Sequence, residues 1–111
     1  MVPTNEALAT GYTWKRSIPI QCTTLDDLYK EYNLDKIDFI WSDIQGAELE
    51  MIQGGQVALA NTRYLYTECV ENRVLYKGQP NLKQIISALP GRWDIVMRTQ
   101  TDVLFGSKRW E

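Results

Sequence analysis

Histidine is absent from this 111-residue chain, so proton chemistry falls to carboxylates, tyrosines, lysines or the two cysteines. The carboxylate best placed for it is Asp43, in the stretch Ser42-Asp43-Ile44-Gln45-Gly46. Before it, residues 37–41 form a short apolar run with β-branched and aromatic side chains, which reads as a buried strand. After it the period changes. Ile44, Ala47 and Met51, with Leu49 and Ile52 beside them, recur at helical spacing, while Gln45, Glu48, Glu50 and Gln53 are expected on the opposite side. Gly54-Gly55 stops that helix, where a left-handed cap is easily adopted. A carboxylate at the carboxyl end of a strand in an open α/β sheet stands where such sheets bind ligands. A second one, Glu68, ends the run 63–68, whose residues suit a pleated surface.

Two strands joined through a helix of this length form a right-handed βαβ unit, so 37–42 and 63–68 are expected as parallel neighbours. That brings Asp43 and Glu68 to one sheet edge. Residues 69–78 read as a loop over it, carrying Glu71, Asn72, Arg73, Tyr76 and Lys77. Upstream, residues 18–22 read as a short strand, with Pro19 favouring an edge. Thr23 or Thr24 then caps a helix whose first turn holds Asp26 and Asp27. Paired carboxylates invite a catalytic reading, but helix-start chemistry accounts for both. Leu25, Leu28, Tyr29 and Tyr32 make that helix's apolar face, and Asn33 is its C-cap candidate. Residues 56–60 add a short helical turn. Pro80 opens the last helix at its first position, with Leu82, Ile85, Ile86 and Leu89 as the apolar stripe and Pro90-Gly91 as the stop. Residues 93–98 and 103–106 read as a terminal antiparallel hairpin turning near 99–102.

These segments in this order resemble the FkbM family of S-adenosylmethionine-dependent methyltransferases. The residues that carry the likeness are Ile37-Asp38-Phe39-Ile40, then Asp43-Ile44-Gln45-Gly46-Ala47-Glu48-Leu49-Glu50, then Ile52-Gln53-Gly54. Thr24-Leu25-Asp26-Asp27-Leu28 stands upstream and Tyr66-Thr67-Glu68 downstream, as in the family. The resemblance implies a mixed α/β chain forming the C-terminal half of a Rossmann-like class I methyltransferase fold, with parallel strands and a terminal antiparallel hairpin. Residues 1–17 form an irregular lead-in, and 18–111 the family-like portion. It also implies methyl transfer to a small hydroxyl substrate, sugar or polyketide-like. In such an in-line displacement the enzyme mainly holds the acceptor, and a base removes its proton. Asp43 is the candidate base or acceptor-orienting group, against a role as a mere helix cap. Glu68 is the second acidic site residue. Gln45, Gly46 and Glu48 are assigned to the cofactor side. For Gly46 close backbone approach is an equal explanation, and for Glu48 a solvated or locally hydrogen-bonded role. Trp41 and Tyr66 read as core or interface.

One departure is serious: no glycine-rich strand-to-helix turn is found, and that turn is where a doubly wound fold holds its cofactor. The length, too, points to a half-fold. The isolated chain is therefore expected to bind S-adenosylmethionine poorly. Strand 37–42 would then be an apolar edge needing cover, by an N-terminal half or by a second copy in a homo-oligomer. The competing reading is a non-catalytic interaction module associating through that edge. A flavodoxin-like receiver is disfavoured, since no phosphate loop or acidic phospho-acceptor cluster is visible.

Composition narrows the rest. With 44% hydrophobic and 23% charged residues the chain is ordinary for one globular domain. A net charge of −2 gives no case for nucleic acid or an anionic membrane. Neither a membrane span nor a secretory signal is evident, so a cytoplasmic address is the default. Cys22 and Cys69 lack the companions of a zinc site and are expected as two buried free thiols.

Overall fold

A computed structural model describes residues 17–70 and 78–110. Residues 1–16 of the expected lead-in over 1–17, and loop residues 71–77, lie outside the described residues. In chain order the elements are α1 (Leu25–Glu31), β1 (Ile37–Ser42), α2 (Glu48–Gln53), α3 (Gln56–Ala60), β2 (Thr62–Glu68), α4 (Leu82–Ala88), β3 (Trp93–Arg98), β4 (Asp102–Ser107) and a terminal 3-10 turn (Lys108–Trp110). The four strands form one mixed sheet in the order β1-β2-β4-β3. β1 and β2 are parallel, in register from Ile37 against Thr62 to Ser42 against Thr67. β4 runs antiparallel to both of its neighbours. The hairpin is thus present, with its second strand inserted between β2 and β3.

Strand alternation sends Leu65, Thr67, Val103 and Phe105 to one face. There they pack with Ile52 of α2, Leu59 of α3, and Ile85 and Leu89 at and after α4 as a continuous apolar core. The other face, and the edge of β1 that has no strand beside it among the described residues, are less covered: Phe39 is 54% and Trp41 72% exposed. Trp41 is therefore an exposed edge residue and not part of the core.

Helix α1 begins as its sequence dictates, with Thr24 Oγ1 accepting from the Asp27 N–H at 3.0 Å. It ends in a left-handed Asn33 with φ of 51°. The N–H groups of Asn33 and Leu34 donate to the carbonyls of Lys30 and Tyr29, which is a Schellman closure. The Asp26 carboxylate does more than sit in its own first turn. It accepts from Val57 N–H at 3.2 Å and Ala58 N–H at 2.7 Å, capping α3 across the molecule.

Several expectations are corrected. Residues 18–22 form no strand, and Ile18 and Ile20 are exposed, since no described strand lies beside them to supply ladder partners. Gly54 and Gly55 are not left-handed, with φ of −85° and −132°. A Cβ on Gly55 would lie 2.8 Å from Leu25 Cδ2 and 2.9 Å from the Met51 carbonyl oxygen, so the pair serves close approach of α1 to the α2–α3 corner. Leu28 and Tyr32 of α1, and Ile86 of α4, face solvent; only part of each apolar stripe meets the sheet. Pro80 precedes the α4 cap: Asn81 is the N-cap and forms a reciprocal capping box with Gln84. Of the two free thiols, Cys69 is buried but Cys22 is exposed.

Candidate active site

Parallel pairing puts the carboxyl ends of β1 and β2 together, and the antiparallel β4 brings its first residue to the same place. Asp43 follows the last residue of β1, Glu68 ends β2, and Asp102 opens β4 in register opposite Glu68. Asp43 lies near enough to Glu68 for its carboxylate to act on the Glu68 carboxyl. Burial, then the neighbouring charges of Asp43 and Asp102, hold the Glu68 carboxyl above the ordinary carboxylate range.

Asp102 is held from two sides. Tyr66 Oη donates to Asp102 Oδ2 at 3.0 Å, and Thr101 Oγ1 donates to the same oxygen at 3.2 Å. The bond to Asp102 pushes the Tyr66 phenol upward, because losing the phenolic proton would put two negative oxygens together.

The β1–α2 connection is built on a left-handed pair, Gln45 with φ of 50° and Gly46 with φ of 100°. Gly46 thus has a backbone reason for being glycine besides any ligand contact. Gln45 is exposed on the rim. Glu48 departs from its expected polar face: it is 3% exposed. It lies one helical turn before the core residue Ile52, so the first position of α2 turns inward. Its Oε2 accepts from the Gly46 N–H at 3.2 Å, bracing the turn. Burial, chiefly, with the charges of Glu68 and Glu50 added, raises its pKa above the usual carboxylate value.

Each of Asp43 and Glu68 directly follows a buried hydroxyl residue in the chain. Ser42 and Thr67 are register partners, 6% and 0% exposed, and among the described residues neither Ser42 Oγ nor Thr67 Oγ1 has a hydrogen-bond partner. Ser42 and Asp43 also line an open groove of about 390 Å³ along the free edge of β1, with Leu25, Ile40, Ile44 and Met51.

Sequence reasoning brought Asp43 and Glu68 together and put Gln45, Gly46 and Glu48 beside them. It missed Asp102, its Tyr66 partner and the two hydroxyls. Only alternation along 62–68 could have signalled Thr67. Nothing local could have placed Asp102, because its position depends on β4 inserting beside β2.

Compared with known protein families, residues 2–95 match the methyltransferase FkbM domain. The chain belongs to that family. Among curated proteins it is similar to a 2-O-methyltransferase, NoeI, of Sinorhizobium fredii (strain NBRC 101917 / NGR234), with 43% identity over 82 residues. That match covers 71% of this chain and 33% of the relative, so the chain spans about a third of the relative's length. No solved structure matches it significantly.

The family implies S-adenosylmethionine in general, and the residues present do not by themselves fit it. The sequence contains no Gly-x-Gly, and the turn after β1 spends its Gly46 N–H on Glu48 instead of facing a ligand. The β1 groove is one apolar wall. Among the described residues no group of three or more His, Cys, Asp or Glu is arranged to hold a metal ion, and no helix is long and apolar enough to cross a membrane.

Proposed function

We propose that this chain supplies the acceptor side of an S-adenosylmethionine-dependent O-methyltransferase, as the C-terminal portion of a Rossmann-like class I fold. The observation that carries the reading is the meeting of Asp43 and Glu68 at the carboxyl ends of two parallel strands, in a chain of the FkbM methyltransferase family. Likeness to a 2-O-methyltransferase supports a hydroxyl acceptor on a small molecule, of sugar or polyketide-like chemistry. In this reading Asp43 takes the acceptor's hydroxyl proton as its oxygen becomes the nucleophile. Glu68, beside Asp43, helps fix the acceptor's approach. Gln45 and Gly46 form the rim toward the cofactor, and Glu48 holds that rim in shape.

Cofactor binding in this reading needs a glycine-rich segment from elsewhere, an N-terminal half or another copy, seated along β1. Radiolabelled methyl transfer to oligosaccharide acceptors is the test, using this chain alone and joined to the cofactor-binding segment of a family member. The joined protein is expected to be active and the chain alone inactive. Asp43→Asn should lower turnover of the joined protein by roughly 10²–10⁴, the usual contribution of a general base. Full activity of Asp43→Asn would refute the assignment of Asp43, and transfer by the chain alone would refute the need for a further segment.

The exposed Phe39 and Trp41, on an edge that no described strand pairs, favour a second reading, a non-catalytic module that associates through β1. Under that reading Asp43→Asn leaves every measurable property of the complex unchanged.

A further inference from the structure

The acceptor-side reading accounts for the carboxyl ends of β1 and β2 and leaves the opposite end of the sheet unused. A pocket of about 160 Å³ lies there, lined among the described residues by Arg63, Tyr64, Asp94, Gly106, Ser107 and Trp110. It joins the start of β2, the start of β3, the end of β4 and the terminal 3-10 turn. Tyr64 and Gly106 alternate with the core residues Leu65 and Phe105, so the pocket opens on the face turned away from the core. Its walls are fixed before any ligand arrives. Trp110 Nε1 donates to the Thr62 carbonyl at 3.2 Å, while Arg109 Nη1 donates to the Ala60 carbonyl at 2.7 Å and to Asn61 Oδ1 at 3.1 Å. These bonds pin the terminal turn to the entry of β2. A Cβ on Gly106 would stand 2.9 Å from Val96 Cγ2 and 3.4 Å from Tyr64 Cε1, so a larger side chain at this position would fill the space between them.

The chemistry of the lining selects a ligand class. Arg63 lies over the Tyr64 ring, 5.2 Å from its centroid, and offers only donors, whereas the Asp94 carboxylate offers only acceptors. Asp94 meets the Lys108 ammonium at 3.7 Å, with both side chains about half exposed, a surface contact of little strength that a ligand can exchange. A phosphate or carboxylate ligand would set its charge against Asp94. An apolar one would strip water from both charged groups without replacing it. A neutral polyol satisfies both, because a hydroxyl donates to Asp94 and accepts from Arg63. The aromatic walls, Tyr64 and Trp110, suit the apolar C–H face of a ring. A pyranose combines the two.

Resting on the acceptor-side reading for its role, we propose that this pocket is a carbohydrate subsite that seats a pyranose ring, the distal unit of an oligosaccharide acceptor whose reacting hydroxyl lies at Asp43. From Tyr64 to Glu68 the strand rises about 13 Å, the reach of a few linked sugar rings. Alternation puts Tyr66 and Glu68 on the same face as Tyr64. The exposed Phe39 and Trp41 are the register partners of Tyr64 and Tyr66, so the path from the pocket to the carboxylates is an aromatic surface. Arg63 and Asp94 then decide which acceptors are held, and take no part in the methyl transfer.

The test is titration of the ¹⁵N-labelled full chain with methyl glucoside, galactoside and mannoside, and separately with benzoate and inorganic phosphate. Binding is followed through the tryptophan indole N–H resonances, assigned with Trp110→Phe and Trp41→Phe. A glycoside is expected to shift the Trp110 resonance saturably, and neither anion should compete with it. Arg63→Ala and Asp94→Asn should each weaken that binding on the order of ten-fold, the loss of one charge-assisted hydrogen bond, while Asp43→Asn should leave it unchanged. Backbone amide spectra verify that each variant is folded. The proposal is overturned if no glycoside moves Trp110, if benzoate or phosphate binds there in preference, or if binding survives both Arg63→Ala and Asp94→Asn undiminished. In the joined protein, Arg63→Ala should raise KM for a trisaccharide acceptor on the order of ten-fold with kcat kept, and leave KM for a monosaccharide acceptor unchanged. A trisaccharide KM that does not move overturns the distal-subsite role. If the pocket binds a glycoside as expected while Asp43→Asn keeps full activity in the joined protein, the carbohydrate subsite stands and the assignment of Asp43 fails.

Discussion

Asp26 offers the sharpest check on how this small domain is assembled. Two readings give different outcomes for the same substitutions. If the carboxylate serves only the first turn of its own helix, its value is that of a charge near the α1 macrodipole, about 0.3–1 kcal/mol, and Asn and Ala should be about equally costly. The structure instead has Asp26 accepting two backbone N–H groups of α3, Ala58 at 2.7 Å and Val57 at 3.2 Å, while its own N–H donates to the Gly54 carbonyl at 2.9 Å. Losing a helix-capping side chain costs about 0.5–2 kcal/mol, and a hydrogen bond to a charged group is worth about 1.5–3 kcal/mol when water cannot replace it. The Val57 contact is exposed and water can replace it; the Ala58 contact is partly buried. Asp26→Ala should therefore cost about 2 kcal/mol, and Asp26→Asn, which retains one acceptor, about 1 kcal/mol. For a chain of this length the larger loss lowers Tm by roughly 8 °C. Urea unfolding monitored by tryptophan fluorescence measures both variants. Equal losses below about 0.5 kcal/mol would refute the cross-helix cap. The consequence reaches the site, because α1 carries Leu25, which lines the groove beside Asp43.

Two further outcomes follow from the same packing. Glu48 and Glu68 have folded-state pKa values raised above their unfolded ones, mainly by burial. The folded state therefore holds protons that the unfolded state releases, and the stability these groups contribute is full below the unfolded carboxylate pKa and is lost as pH rises through the folded one. The chain should thus gain stability from neutral to mildly acidic pH, and Glu48→Gln, which keeps an acceptor for the Gly46 N–H, should raise the neutral-pH unfolding midpoint and flatten that dependence. A lower midpoint for Glu48→Gln at pH 7 would contradict this. Gly55→Ala would force a Cβ against Leu25 and the Met51 carbonyl, costing about 1–3 kcal/mol as overpacking does; a stabilised Gly55→Ala in urea unfolding would show that the corner is looser than its geometry.

The sequence alone determined which residues form elements and in what order, because those signals are local. The strand of residues 37–42, a cap at Thr23 or Thr24, the helix end at Asn33 and the stop at Pro90-Gly91 each depend on neighbours a few positions away. The parallel pairing of β1 and β2 was also legible, since a short helical crossover allows little else, and with it the meeting of Asp43 and Glu68. Tertiary structure decided what depends on contacts distant in sequence. Gly55 is set by a Leu25 that lies 30 positions upstream, and Asp26 by a helix it precedes by as many. Glu48 looked solvated because its periodicity was counted along the whole polar face, whereas α2 begins at Glu48 and turns that first position inward. Asp102 joins the carboxylates only because β4, not β3, pairs with β2, a choice made by strand packing and written in no single segment of the chain.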